Sequence, residues 1–233
     1  MSEVDSQRIR DGLAAVERRI EAACRGAGRD PASVQLLPVT KTLPPAALRV
    51  AVDAGYRALG ENRVQEASDK ADALTSTGIE WHMIGHLQRN KVKQALAFAH
   101  CIQSVDRQAL AQRLADQLAN TGECCRVLIQ VNTSGAPSQY GVAPERAGEL
   151  ARYVAARGEL ELTGLMTIGR LVDAPEDARD CFRTLRELRD RLADELGQAL
   201  PELSMGMSGD MEVAIDEGAT LVRAGSAIFG ARS

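Results

Sequence analysis

Hydrophobic and polar positions follow two different periods along this chain, and together they predict an α/β protein. Residues 7–25 place apolar side chains at steps of three and four, which is typical of one helix face. Further on, eight short apolar runs alternate with longer segments of helical period. The runs predicted as strands are residues 34–40, 57–60, 80–85, 101–104, 126–131, 160–168, 203–207 and 220–225.

Two segments between these runs have clear apolar stripes. One carries Leu110, Leu114 and Leu118, and Asp106 is its predicted N-cap. The other stripe consists of Phe182, Leu185, Leu188, Leu192 and Leu196. Both stripes predict helices that pack one face against a sheet.

Strands that alternate with helices imply right-handed βαβ units and a parallel sheet. Eight such units within about 200 residues fit a (β/α)₈ TIM barrel, and a doubly wound open sheet is the rival architecture. The chain shows no linker rich in Pro, Gly or Ser. We therefore expect a single domain, with an extra N-terminal helix in residues 1–30 and the barrel in residues 34–232.

The composition argues against several classes of protein. The 233 residues are 45% apolar, the net charge is −4, and no basic block is present, so nucleic acid is not the expected partner. No apolar run approaches the roughly 18 residues that a membrane span needs. The five cysteines form no CxxC pair and favour reduced thiols in a cytoplasmic protein over a disulfide framework.

The first strand exit carries an amine. In such barrels, function gathers at the carboxyl ends of the strands, and Lys41 directly follows the first apolar run. Partial burial there would lower the pKa of the amine and let it condense with an aldehyde. The alternative is that Lys41 is simply the first solvated loop residue.

Small residues follow the seventh and eighth runs, where such barrels usually bind phosphate. Ser208 and Gly209 could offer a hydroxyl and backbone N–H groups, and Gly225 and Ser226 open a short terminal helix whose N-terminus favours an anion. Ordinary turn chemistry explains either pair alone. Both pairs together, with an amine at the first exit, favour a phosphorylated ligand.

Two further residue types need an explanation. Arg223 lies inside the last apolar run, where it forms either a structural ion pair or a contact to a ligand heteroatom. His82 and His86 are four residues apart, but they fall on a strand and a loop, without a third ligand at metal-site spacing. We therefore expect no metal site.

Eight motifs in order carry a family resemblance. They are residues 38–42 (PVTKT), 60–66 (GENRVQE), 81–91 (WHMIGHLQRNK), 103–106 (QSVD), 130–134 (QVNTS), 164–166 (GLM), 203–210 (LSMGMSGD) and 222–230 (VRAGSAIFG). The chain resembles the YggS/PROSC-type pyridoxal 5′-phosphate (PLP) homeostasis proteins, from about residue 34 to residue 232.

The resemblance implies a fold type III PLP barrel, like the N-terminal domain of alanine racemase. It implies that Lys41 binds PLP as a Schiff base and that Arg223 faces the pyridine nitrogen. It further implies that Ser208, Gly225 and Ser226 hold the phosphate. By the same resemblance, Asn62 and Met83 line the ring and His86 approaches the phosphate side.

One loop departs from the family pattern. Members usually carry an acidic residue and then a lysine after the fifth strand, and this chain has Ala136 and Gln139 there. A role of this loop in ligand exchange or partner contact is therefore in question for this chain, whereas the cofactor residues are unaffected.

Three functions are considered. The first is a PLP carrier that balances cofactor and amino-acid pools and contacts PLP-dependent apo-enzymes transiently. Such a carrier needs no catalytic residue, and we expect it to be a monomer. The second is an amino-acid racemase, which needs proton transfer on both faces of the substrate. The chain ends with the eighth barrel unit, so the β-rich second domain of such racemases is not expected. The third is a phosphosugar-binding barrel without PLP.

Overall fold

Eight strands and the helices between them are present in the computed structural model, which describes residues 2–170 and 172–230. All eight predicted strands are confirmed, with ends that shift by a few residues. The strands are β1 (Gln35–Pro38), β2 (Ala58–Glu61), β3 (Glu80–Met83), β4 (Ala99–Val105), β5 (Cys125–Gln130), β6 (Leu160–Met166), β7 (Glu202–Ser204) and β8 (Leu221–Ala224).

The strands form one parallel sheet that closes on itself. Their order is β1-β8-β7-β6-β5-β4-β3-β2. The two ends of this order meet through a parallel bridge between Val39 and Gly60, and Thr40 N donates to Gly60 O at 2.9 Å. This closure confirms the TIM barrel and excludes the open doubly wound sheet.

Side chains alternate between the barrel interior and the layer under the helices. Leu37, Ala58 and Leu221 form an interior cluster with Ile84 packed against it, whereas Leu36 and Leu59 belong to the large cluster shared with the helices. Because strand side chains alternate with a period of two, Val39, which makes the closing bridge, follows Leu37 on the inward side, and Lys41 comes two residues later.

The helices are α1 (Glu3–Gly26), α2 (Pro45–Asp53), α3 (Val64–Ala73), α4 (Val92–Leu96), α5 (Gln108–Ala119), α6 (Pro144–Ala155), α7 (Arg179–Leu196), α8 (Met211–Asp216) and α9 (Ser226–Phe229). The predicted stripe on α5 is buried, and so is that on α7 except for Leu196, which is partly buried. None of the described helices has the length and apolar character needed to cross a bilayer.

Helix α1 is the predicted extra helix, and it supports the last barrel unit. A capping box between Ser2 and Asp5 starts it. It packs against α8 and α9 so closely that a Cβ on Gly12 would lie 2.4 Å from Ile228 O. The N-terminal segment therefore fixes the position of α9, which begins at Ser226.

The predicted N-cap of α5 is wrong. Arg107 occupies the N-cap position, without a capping side-chain bond. The carboxylate of Asp106 instead pairs with the guanidinium of Arg107 and lies 3.3 Å from His86 Nδ1. Asp106 is held by Arg107 at the barrel mouth and makes no capping bond to the helix end.

Glu217 joins α8 to α7, and its removal should destabilise the protein. Its carboxylate is 5% exposed and accepts from Arg179, Arg183 and Arg186 at 3.0, 3.2 and 2.8 Å. We expect Glu217→Gln to lower the free energy of unfolding in urea by about 2 kcal/mol, because hydrogen bonds to charged groups are lost.

The exposed Glu195, which pairs with Arg152 on the surface, is the matched control. Glu195→Gln should change the unfolding free energy by less than about 0.5 kcal/mol. Equal effects of the two substitutions would contradict a special role for Glu217.

Candidate cofactor site

Lys41 is half-buried in the turn that follows β1, at the mouth of the barrel. Both of its neighbours are held by α3: Lys70 Nζ donates to Thr40 O at 2.8 Å, and Thr42 N donates to Glu66 Oε2 at 3.1 Å. Thr42 adopts φ 66°, the left-handed conformation that turns the chain immediately after the lysine. The amine thus projects from a backbone segment fixed on both sides.

A buried ion pair lies behind this segment. Lys70 Nζ also contacts Glu61 Oε1 at 2.8 Å, and the two side chains are 7% and 0% exposed. The Thr40 hydroxyl donates to the same carboxylate oxygen at 2.6 Å, while Glu61 Oε2 finds no partner among the described residues. The position of Lys41 therefore depends on a pair that is expensive to break.

Arg223 crosses the barrel interior one strand away from Lys41. The residue is 4% exposed, and its guanidinium donates to Ser204 Oγ and to Thr167 O, each at 2.7 Å. Burial lowers the pKa of Arg223 to about 10, so the group remains a cation at neutral pH. Register pairs Arg223 with Leu37, the inward residue of β1 below Lys41.

The exits of β7 and β8 adjoin the same end of the barrel. Ser208 is half-buried in the turn before α8, where Met207 N donates to Asp210 Oδ1 at 2.6 Å. Gly225 precedes α9, and a Cβ there would lie 3.2 Å from Val39 O, so the eighth exit touches the first. The end of β1 therefore lies against the end of β8, with Lys41 just beyond β1, Arg223 inside β8 and Gly225 directly after β8.

Asn62 is fixed by a close backbone approach. It is half-buried directly after β2, and a Cβ on Gly85 would lie only 2.1 Å from Asn62 O. Glycine at this position therefore lets the second and third exits come into contact.

We expect Gly85→Ala to destabilise the protein by about 3 kcal/mol, because the added methyl must push the Asn62 backbone aside. Gly158→Ala is the control, since a Cβ there meets nothing within 4 Å. Urea unfolding of both variants measures the difference. Equal midpoints would show that the two exits are not held in contact.

Met83 is the last residue of β3, and His86 follows three residues later in the loop. Met83 is 1% exposed and belongs to the outer core cluster with Trp81, whereas the next residue, Ile84, packs against the interior. The His86 ring stacks on Tyr140, with centroids 3.8 Å apart. The cofactor contacts expected of Met83 and His86 stay predictions.

Comparisons with known proteins decide the family. Residues 12–233 match the family model for the alanine racemase N-terminal domain. A protein of Aquifex aeolicus called pyridoxal phosphate homeostasis protein is 46% identical, over 94% of this chain and 96% of its own. The chain belongs to the pyridoxal phosphate homeostasis protein family.

Solved structures agree with this family. The chain is similar to the crystal structure of an unknown protein from Bifidobacterium adolescentis, at 39% identity and a TM-score of 0.93, covering 98% of this chain and 97% of that one. It is also similar to PipY of Synechococcus elongatus with PLP bound, at 35% identity and a TM-score of 0.84, covering 95% and 100% of the two chains.

The loop that departs from the homeostasis protein pattern is closed by its own side chains. Asn132 Nδ2 donates to Ala136 O at 2.9 Å and to Gln139 O at 3.0 Å, and the Ser134 hydroxyl lies 2.8 Å from Gln139 Oε1. Gln139 therefore acts as an internal tie of the loop, in the place where the family usually has a lysine.

Sequence reasoning missed the polar residues that support Lys41 and Arg223. Glu61 lies in the motif of residues 60–66 and Lys70 in none, and the pairing of the two was not predicted, although a glutamate at the end of an apolar strand indicates a buried partner. Gln103 and Ser204 are both fully buried within strands, and this was also visible in the sequence as polar residues in apolar runs.

Proposed function

We propose that this chain binds PLP covalently through Lys41 Nζ at the barrel mouth and holds it reversibly for PLP-dependent apo-enzymes. The observation that carries the proposal is that Lys41 follows the end of β1 while Arg223 lies buried inside β8, the strand that pairs with β1. An amine and a buried cation in one barrel mouth match the aldehyde and the pyridine nitrogen of PLP.

The donor groups at the neighbouring exits suit the phosphate. The hydroxyls of Ser208 and Ser226 and the backbone N–H groups at Gly225 and at the start of α9 would hold it. A Cβ on Gly209 would meet no atom within 4 Å, so there is room above this turn. The residues present thus fit the cofactor that the relatives' names contain.

PLP supplies an aldehyde for condensation with amines and an electron sink for carbanion chemistry. Arg223 stays protonated, so it would donate to the ring nitrogen and disfavour protonation of that atom. This weakens the electron sink. The chain's own residues therefore support binding and release, with a lysine that is held in place by α3, more than they support carbanion chemistry.

We infer a monomer in the cytoplasm that meets apo-enzymes and amino acids transiently. All five cysteines are free thiols, which suits a reducing compartment. Among the described residues, the large apolar side chains that are well exposed are Val4 and Tyr140. Two scattered residues do not make the apolar patch of a stable interface.

A transfer assay tests the proposal. The PLP-loaded protein, freed of excess cofactor, is mixed with an apo-enzyme, and the recovered enzyme activity is followed in time. We expect recovery faster than with the Lys41→Ala protein carried through the same loading. A loaded protein that restores no activity would contradict the carrier function.

Hydrogen exchange at the α-carbon separates the carrier from the racemase. In deuterated water, L- and D-amino acids should exchange this hydrogen no faster with the protein than with free PLP at equal concentration. Exchange well above that of free PLP would favour the racemase.

A further inference from the structure

A continuous chain of polar side chains crosses the barrel interior from its amino end to Arg223. It links residues of β3, β4, β7 and β8, and its three middle members are 3%, 0% and 0% exposed. In order from the amino end, the members are Glu80, His82, Gln103, Ser204 and Arg223. A core of this kind is costly unless every member is satisfied.

The two ends of this hydrogen-bond chain, Arg223 and Glu80, fix the direction of every hydrogen bond in it. Arginine can only donate, so Ser204 Oγ accepts from Arg223 at 2.7 Å and donates to Gln103 Oε1 at 2.6 Å. The Gln103 amide then donates to His82 Nδ1 at 2.7 Å. His82 must therefore carry its proton on Nε2, and this N–H donates to Glu80 Oε1 at 3.0 Å.

The titration behaviour of His82 suits this arrangement. Burial lowers the pKa of His82 to about 4, so its ring is neutral and Nδ1 remains an acceptor at neutral pH. At the far end, Glu80 is 40% exposed and pairs with Arg126, which also reaches Glu202 at 3.7 Å. An acceptor-only carboxylate is thus held in place at the amino end of the barrel.

We propose that Gln103 and Ser204 are positioning residues, which with His82 and Glu80 hold the Arg223 guanidinium in one orientation toward the pyridine nitrogen of PLP. The cofactor part of this inference rests on the proposed function, whereas the hydrogen-bond chain belongs to the protein alone. Thr167 O holds the second guanidinium nitrogen, so Ser204 decides the rotation of the group about that contact.

The test uses three substitutions and one matched control. Ser204→Ala and Gln103→Leu interrupt the hydrogen-bond chain inside the barrel. Glu80→Gln replaces its terminal carboxylate, which only accepts hydrogen bonds, by an amide of equal shape. Ser104→Ala is the control, because Ser104 is equally buried and its hydroxyl has no partner among the described residues.

The first readout is the ¹⁵N NMR spectrum of His82 in the protein without PLP. We expect the Nε2–H form alone in the wild type and in Ser104→Ala. Gln103→Leu and Glu80→Gln should give a mixture of both neutral forms, because each removes one constraint on the ring. A wild-type His82 protonated on Nδ1 would overturn the chain, whatever the protein does with PLP.

The second readout is the dissociation constant of PLP, with the visible absorption spectrum of the bound cofactor. Ser204→Ala and Gln103→Leu should weaken binding roughly tenfold, the loss of one hydrogen bond to a charged group, and shift the spectrum. Ser104→Ala should stay within about twofold. Unchanged affinity and spectrum in both interior variants would overturn the positioning role.

Failure of the proposed function would look different. A wild-type protein that takes up no PLP would refute PLP binding and, with it, the positioning role toward PLP, while the NMR result would still decide whether the directed chain exists. Variants that unfold are recognised by the loss of all dispersed signals, and Glu80→Gln, at the partly exposed end, then carries the test.

Discussion

Lys41→Ala should abolish the visible absorption band that forms when the wild-type protein is incubated with PLP. The band requires condensation of the PLP aldehyde with an amine, and Lys41 is the lysine at the mouth beside Arg223. The substitution removes a half-buried side chain on a loop, so the unfolding midpoint should stay close to that of the wild type.

Lys93→Ala is the matched control, since Lys93 is exposed on α4. It should keep the band, and its PLP affinity should equal that of the wild type. A Lys41→Ala protein that retains a wild-type band would show that another amine binds the aldehyde, and the site described above would then be wrong.

Lys70→Met should be the most destabilising of the substitutions considered. It leaves the Glu61 carboxylate buried without its cation, and breaking a buried pair in this way costs about 3–5 kcal/mol. It also removes the donor to Thr40 O, so the backbone around Lys41 loses one of its two hydrogen bonds to α3. Urea unfolding measures the first effect, and PLP affinity measures the second.

The double substitution Glu61→Gln with Lys70→Met provides the control. Removing the negative charge as well should recover a large part of the lost unfolding free energy, because no ionised group remains buried. A single Lys70→Met variant as stable as the wild type would contradict the buried pair. A double variant no more stable than the single one would assign the loss to packing.

The architecture could be predicted because each barrel unit repeats the same signal. Apolar runs such as residues 34–40 and 220–225 are short and are followed by polar or small residues. Eight such runs alternating with helices favour the (β/α)₈ barrel. Lys41 and Arg223 were recognisable for the same reason, since a charge directly after or within an apolar run calls for a partner. The family resemblance added their roles.

The remaining parts of the site depend on geometry that no local pattern contains. The pairing of Glu61 with Lys70 joins a strand end to the middle of α3, nine residues later. The link from Gln103 to Ser204 spans 101 positions. Asp106 illustrates the reverse case, because its sequence position suits an N-cap but the guanidinium of Arg107 pairs with its carboxylate instead.

The strand alternation also determines which side chains of β3 face the barrel interior. A strand end that shifts by one residue moves a side chain to the other face of the sheet. His82 faces the interior through its bond to Gln103, so Met83 points to the helices and Ile84 faces the interior.

Borohydride reduction of the PLP-loaded protein, followed by peptide mass mapping, tests the central claim most directly. The sequence contains four lysines, Lys41, Lys70, Lys91 and Lys93, so each can be assigned to its own peptide after suitable proteolysis. We predict that the reduced cofactor is found on Lys41 in a one-to-one ratio to the protein, with Lys91 and Lys93 unlabelled. Labelling spread over the exposed lysines, or a Lys41 peptide without the added mass, would contradict the account.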